Sequence, residues 1–307
     1  MTVPQPVRDG VGPSVIVLPR GHWHTILDFL DEKFPQVSRQ EIVARMQRGD
    51  IRDANGAAVY ADARYRAEIK LYYYREIIDE IRLPFMEEVV FEDELLVVAD
   101  KPHFLPVTPG GRYLQETLLV RLKRKLGIDA LAPMHRIDRE TAGLVVFTKQ
   151  SATRGRYQSL FERREVFKMY EAWAGWREGL ALPMIYRSRI EQGHHFMQMQ
   201  ESDSPSEPNS ETLISLIDRA GPFGRYALTP KTGKKHQLRL HLAALGIPIV
   251  NDQIYPIHRP SVEEDFSRPL QLLAAQISFN DPVTGAPREF STKIKLAGPT
   301  SLLGHRK

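Results

Sequence analysis

The chain has 307 residues, 42% of them apolar and 26% charged, which is the balance of an ordinary globular protein long enough for two domains. It contains no cysteine, which excludes disulfide scaffolds, thiolate metal centres and cysteine nucleophiles, and it has no run near the ~20 apolar residues that cross a bilayer. A net charge of +4 and a sequence pI near 9.2 are compatible with a polyanionic partner, and a cytoplasmic protein without membrane association is expected.

Residues 1–14 lack the basic-then-apolar order of a signal peptide and read as a flexible tail. Residues 15–82 read as a small module of two short helices and a hairpin. Thr25 is placed to cap a helix carrying Ile26, Leu27, Phe29 and Leu30, closed by Pro35. Ser38 with Glu41 forms a capping-box pattern for a second helix that Gly49 ends. Asn55-Gly56, between two short runs, signals a hairpin because both residue types tolerate positive φ. Arg39, Arg45, Arg48 and Arg52 crowd around the second helix.

Residues 83–307 change to short strand-like runs separated by helices: Leu95 to Ala99, Gly143 to Thr148, Lys168 to Gly175 and Tyr226 to Pro230. Leu114, Leu118, Leu122 and Leu126 recur every four residues, with Lys123, Arg124 and Lys125 in the last turn and Gly127 as a stop, which predicts a helix. Ser151 is placed to cap another through Tyr157 and Phe161. The Ser-, Asp-, Glu- and Pro-rich stretch from Gln200 to Thr212 reads as a surface excursion. Strands interleaved irregularly with helices predict an α+β domain with a mixed sheet.

The chemistry concentrates in His135-Arg136-Ile137-Asp138-Arg139-Glu140-Thr141-Ala142-Gly143, a polar loop leading into the apolar run Leu144 to Phe147. Such a loop can deliver side chains into a cleft, and equally an Asp between two arginines can be a surface ion pair. No P-loop pattern is present. His236 and His241 are five apart, unlike a zinc pair four apart on one helix face, so no metal is expected. A two-carboxylate glycosidase built on Asp138 and Glu140 is chemically conceivable but leaves the rest of the sequence unaccounted for.

The loop resembles the signature of the RluA family of pseudouridine synthases, His-Arg-Leu-Asp-x-x-Thr-Ser-Gly. Three further stretches are similar to that family in the same order. They are Lys101-Pro102 with the residues to Val107, Lys168-Met169-Tyr170-Glu171-Ala172, and Thr232-Gly233-Lys234-Lys235-His236-Gln237-Leu238-Arg239-Leu240-His241-Leu242. Ile137, Ala142, Lys234 and the pair Asn251-Asp252 depart from the common residues. The small module ahead of these motifs looks like an alpha-L RNA-binding module.

The resemblance implies a pseudouridine synthase fold with a mixed, largely antiparallel sheet, and a cofactor-free isomerase that converts uridine to pseudouridine in ribosomal or transfer RNA. Asp138 is then the essential carboxylate, attacking sugar or base or removing a sugar proton. Arg239 is its counter-charge. Tyr170 stacks on the target base and serves proton transfer, and Arg136 partners the flipped-out nucleotide. Lys101 is a candidate phosphate contact. A monomer with RNA as its partner and no obligate protein partner is expected. The competing class is a noncatalytic RNA-binding or RNA-folding protein on the same scaffold.

Overall fold

The computed structural model describes residues 6–77, 79–193, 195, 197–202, 204, 206–259 and 265–298. Residues 1–5 of the expected tail, and residues 203 and 205 of the expected surface excursion, lie outside the described residues. The chain divides into two compact units: Met1–Ile81, Pro109–Gln115 and Val120–Asp129 form one, and Arg82–Thr108, Glu116–Leu119 and Ala130–Lys307 form the other. Among the described residues no helix is long and apolar enough to cross a membrane.

The first unit carries β1 (Ser14–Val17), α1 (Ile26–Lys33), α2 (Arg39–Gln47), β2 (Ile51–Arg52) and β3 (Lys70–Tyr73), with the strands antiparallel in the order β1-β3-β2. Thr25 caps α1 reciprocally, its hydroxyl accepting from the Asp28 amide at 3.1 Å while the Asp28 carboxylate accepts from the Thr25 amide at 3.0 Å. Ser38 caps α2 through the Glu41 amide, but the expected box is one-sided because the Glu41 carboxylate turns to Arg45 at 2.8 Å. In the hairpin only Gly56 takes a positive φ, and the Asp53 carboxylate organises the turn by accepting from the amides of Asn55 and Ala57. Ile26, Phe29, Leu30, Ile42, Met46 and Leu71 close the core. The expected tail is fixed from Arg8 onward: Arg8 and Val11 exchange backbone bonds, and Val11 gains burial against Leu114 and Val120.

The second unit begins with β4 (Glu88–Glu92) and β5 (Leu96–Lys101), and α3 (Leu118–Leu126) follows with its later turns assigned to the first unit. Then come β6 (Ala132–Pro133), β7 (Ala142–Thr148), α4 (Arg154–Glu162), β8 (Phe167–Gly175), β9 (Met184–Ser188), β10 (Ile190–Gln192), β11 (Met199–Glu201), β12 (Ser210–Ala220), β13 (Phe223–Pro230), α5 (Gln237–Ala244), β14 (Leu272–Asn280) and β15 (Pro287–Ser291). A ten-stranded sheet runs β4-β5-β7-β14-β8-β13-β12-β9, with β15 on β14 and β6 on β7. Among the described residues only β7 and β14 pair in parallel; the other pairs are antiparallel, which makes the α+β architecture. β10 and β11 form a separate hairpin.

Two expected helices start late. Leu114 stays outside α3 because its amide and that of Gln115 are taken by the Glu80 carboxylate, and the helix opens at Leu118, whose amide donates to the Pro106 carbonyl. α4 opens after Thr153 rather than Ser151, with the Thr153 hydroxyl spent on the Gln150 carbonyl. The excursion over 200–212 is bounded by strands at both ends, and Ser210 and Thr212 are buried.

The sheet holds the two helices that frame the site. α4 packs Tyr157 and Leu160 against Leu96, Val146 and Ile277, and α5 packs Leu238 and Leu242 against Ala172, Leu228 and Leu272. α5 is also pinned through His241. Its Nδ1 lies 2.9 Å from Thr212 Oγ1 and its Nε2 3.0 Å from Ser210 Oγ; Gln237 donates to Thr212, and Ser210 donates to the Ser188 carbonyl. That network is satisfied by a neutral ring protonated on Nε2. Burial holds His241 down to about 4 and His135, which accepts the Val146 amide, down to about 3, against an ordinary 6.5.

Both histidines bind protons more readily when unfolded, so their neutral burial contributes stability that is present above about pH 6.5 and is lost as pH falls toward 4. Urea titrations from pH 7 to pH 4.5 should show the midpoint falling, and His241→Gln should flatten that fall. A second test concerns Gly143, whose φ is +108° and where an added Cβ would strike the backbone carbonyl and amide of Ala274 across the parallel pair. Gly143→Ala should lower unfolding free energy by about 2 kcal/mol or more, read as a lower urea midpoint at unchanged m.

Candidate active site

The polar loop before β7 is a turn in which the Thr141 amide donates to the Asp138 carbonyl at 3.2 Å. It is fastened from beneath by the end of β5. Lys101, fully buried, donates to the carbonyls of Pro102 and Arg139 at 2.9 and 3.0 Å, and His103 Nδ1 lies 2.6 Å from the Glu140 carbonyl. This corrects the sequence expectation for Lys101: with no exposed surface it cannot reach a phosphate, and its ammonium instead holds the loop backbone. Burial pushes that ammonium down to about 7, with the charges of Glu140 and Asp138 acting in the opposite direction.

Asp138 is 27% exposed, and its Oδ2 accepts from Arg239 Nη1 at 3.1 Å. Arg239 comes from α5 and is 1% exposed. The rest of its guanidinium is taken by a residue that sequence reasoning did not place in the site. Nε and Nη2 donate to the two carboxylate oxygens of Asp252 at 2.8 and 2.7 Å, a bidentate fork with both partners buried. Asp252 Oδ1 also accepts the amides of Ile254 and Tyr255, at 2.8 and 3.0 Å, so the carboxylate is fixed before the arginine reaches it. The preceding Asn251 has φ +64°, which explains how Asn replaces a common Gly there, since Asn tolerates the left-handed region.

His236 is a second addition. It precedes α5 with φ +56°, its Nε2 lies 3.9 Å from Asp138 Oδ2, and its Nδ1 lies 3.1 Å from the Tyr255 hydroxyl. Burial holds it down to about 4, with the Asp138 charge pulling upward, so it is neutral at pH 7. The Thr232-to-His236 loop is shaped by Gln237, whose side-chain oxygen accepts from the Thr232 hydroxyl at 2.7 Å and the Lys234 amide at 3.1 Å.

Asp138, Arg239, His236 and Gln237 line a cleft of about 610 Å³ together with Tyr170, Arg136 and Lys168, and Asp252 lies behind Arg239, outside the lining. Tyr170 comes from β8; burial and the nearby Asp138 charge raise its phenol, which keeps it protonated at neutral pH. Arg136 is exposed at the cleft. Asp138, Tyr170, Arg239 and Arg136 are thus brought together from a loop, a strand and a helix, and Lys101 is not. Glu140, the second carboxylate of a glycosidase reading, is not part of the cleft lining. The signals that could have found Asp252 and His236 were faint: an Asp two residues ahead of Ile-Tyr, and a His directly before the Gln of the α5 motif.

Residues 95–244 match the RNA pseudouridylate synthase family. A tRNA pseudouridine(31) synthase of Saccharomyces cerevisiae is 34% identical over 195 residues, 55% of this chain and 46% of that protein, so the match spans about half the yeast protein's length. A dual-specificity RNA pseudouridine synthase RluA of Haemophilus influenzae is 31% identical over 223 residues, 68% of this chain and 94% of that enzyme. Among solved structures, human RNA pseudouridylate synthase domain containing 1 superposes with a TM-score of 0.54 at 19% identity, covering 71% of this chain and 94% of that one, a likeness of fold. The family match spans β5 to α5, including Asp138, Tyr170 and Arg239, and nearly the whole Haemophilus enzyme is matched: the chain belongs to the RluA-type family of RNA pseudouridine synthases.

Proposed function

We propose that this isomerase acts on uridines of transfer or ribosomal RNA with Asp138 as the reacting carboxylate. The observation that carries the reading is the asymmetry of that side chain. Arg239 engages Oδ2, and among the described residues no protein group bonds Oδ1, which stays available in a cleft rimmed by Arg136, Lys168 and Lys234. Arg239 shares its charge with Asp252, so two carboxylates face one guanidinium and the cluster keeps a net negative charge. Asp138 is thereby held in place through one oxygen while the other faces the cleft.

The reaction breaks the bond from ribose C1′ to uracil N1, turns the base and joins C1′ to C5; C5 loses a proton and N1 gains one. Asp138 supports this by attack on the sugar or the base, or by removing a sugar proton, and each route uses its ionised form. Tyr170, protonated at neutral pH, stacks on the uracil and relays a proton. Arg136 holds the strand from which the nucleotide has been extruded, a step costing a few kcal/mol. The transfer-RNA name of the yeast relative supports transfer RNA as the first substrate to test.

Asp138→Asn preserves size and removes the charge, so turnover should be abolished while RNA affinity changes by less than about threefold, because phosphate contacts dominate binding. Purified protein should be incubated with total RNA from a strain lacking the gene and pseudouridines mapped. Failure of the wild type to create any site, or undiminished activity of Asp138→Asn, would overturn the proposal.

Asp252→Asn should lower the single-turnover rate at saturating RNA by about 10- to 100-fold by releasing the guanidinium that positions Asp138. Arg239→Ala should cost more and also destabilise the fold, by about 3–5 kcal/mol, because Asp252 is left buried and unpaired. A folded Asp252→Asn variant with wild-type rate would show that the fork does not serve the reaction.

A further inference from the structure

The first unit contains a pocket that the proposed chemistry does not use. Residues 60–70 form a ribbon segment with turns at 60–63 and 67–68, where the Ala63 amide donates to the Tyr60 carbonyl at 3.0 Å and Glu68 has φ +68°, and it is tied to the entry of α1: the Ile26 amide donates to the Ala63 carbonyl at 2.9 Å, and the Tyr65 amide to the His24 carbonyl at 3.0 Å. Side chains along it alternate in exposure. Ala61, Ala63, Tyr65 and Ile69 turn to the core, whereas Tyr60, Asp62, Arg64, Arg66, Glu68 and Lys70 are exposed. A pocket of about 440 Å³ opens on this ribbon, with Val59 and Ile69 among its apolar lining and Tyr60, Arg64 and Arg66 among its polar lining. That volume is in the range of small-ligand sites.

The charges of the unit are distributed unequally. Around α2, Arg39 pairs with Asp28 and Asp31, Arg45 with Glu41, and Arg48 with Asp50, while Arg52 donates to the carbonyls of Gly49 and Gly56. Those cations are already committed, and a phosphate would have to displace a carboxylate or a carbonyl to reach them. On the ribbon, Glu68 pairs with Arg20, but among the described residues Arg64, Arg66 and Lys70 have no side-chain hydrogen-bond or ion-pair partner. Tyr60 is 57% exposed beside them. An exposed aromatic ring sharing a pocket with uncommitted cations is an arrangement that binds single-stranded nucleic acid, with the ring stacking on a base and the cations meeting phosphates. Asp62, on the same face, is an acceptor suited to a ribose hydroxyl.

We infer that the ribbon 60–70, and not the arginine-rich face of α2, is the single-stranded RNA-binding surface of the first unit. Tyr60 takes a base, and Arg64 and Arg66 take phosphates. The inference rests on RNA being the substrate.

The test uses the full chain and a fluorescent oligouridylate of about twelve nucleotides carrying a central 4-thiouridine. Irradiation should label the peptide containing Tyr60. Tyr60→Ala should weaken binding about tenfold and Tyr60→Phe should restore it. Joint replacement of Arg64 and Arg66 by Ala should reduce the slope of log affinity against log salt by about 1.4, whereas joint replacement of Arg45 and Arg48 should leave it unchanged. All substituted side chains on the ribbon are exposed, so the fold is preserved. Unchanged slope and affinity in the ribbon variants, or a larger loss from the α2 variants, overturns the inference, and a protein captured by the ribbon without any RNA effect does so equally. Mapping pseudouridines made by wild type in parallel separates this failure from that of the enzymatic reading, which alone would abolish modification.

Discussion

The fork between Arg239 and Asp252 is the interaction on which the rest of the site depends. A guanidinium with 1% exposure is stable only if its donors are met, and Asp252 meets two of them with a carboxylate that two backbone amides have already immobilised. That leaves Nη1 aimed at Asp138. The remaining scaffolding serves the same alignment: His241 and Gln237 lock α5 to β12, while Lys101 and His103 lock the Asp138 loop to β5. Each clamp ends on backbone or on a neutral side chain, so none of them engages the carboxylates of Asp138 or Asp252.

This organisation also explains why three family motifs separated by long stretches occupy one cleft. Asp138 precedes β7, Tyr170 lies in β8 and Arg239 follows β13, and a pleated sheet brings strand ends together whatever their separation in the chain. The contact between Asp138 and Arg239 spans 101 residues.

Much of this was legible beforehand because it was written in local chemistry. The caps at Thr25 and Ser38, the glycine ending α2 and the apolar runs of β5, β7, β8 and β13 act over a few residues, and the structure places elements there. The readings that changed depended on distant partners. Leu114 fits the periodicity of α3 but is held out of it by Glu80, 34 residues earlier; Lys101 reads as a phosphate contact but is drawn inward by the carbonyl of Arg139. The arginines around α2 read as a basic face, and their neutralisation is visible only once Asp28, Asp31, Glu41 and Asp50 are placed beside them. Asp252 was passed over for the same reason, since nothing in its neighbourhood in sequence announces a buried arginine.

The place of β14 in the sheet has a consequence for the newly made chain. It lies between β7 and β8, so the strand that follows the Asp138 loop and the strand that carries Tyr170 meet through a segment beginning at residue 272, long after both. A chain emerging amino end first exposes all the proposed reacting side chains before the strand that joins their two halves. Such a nascent chain, surrounded by ribosomal and transfer RNA, holds the reactive groups without their convergence. Closure by non-local pairing is slow relative to helix formation, so the cleft assembles only after β14 has been made.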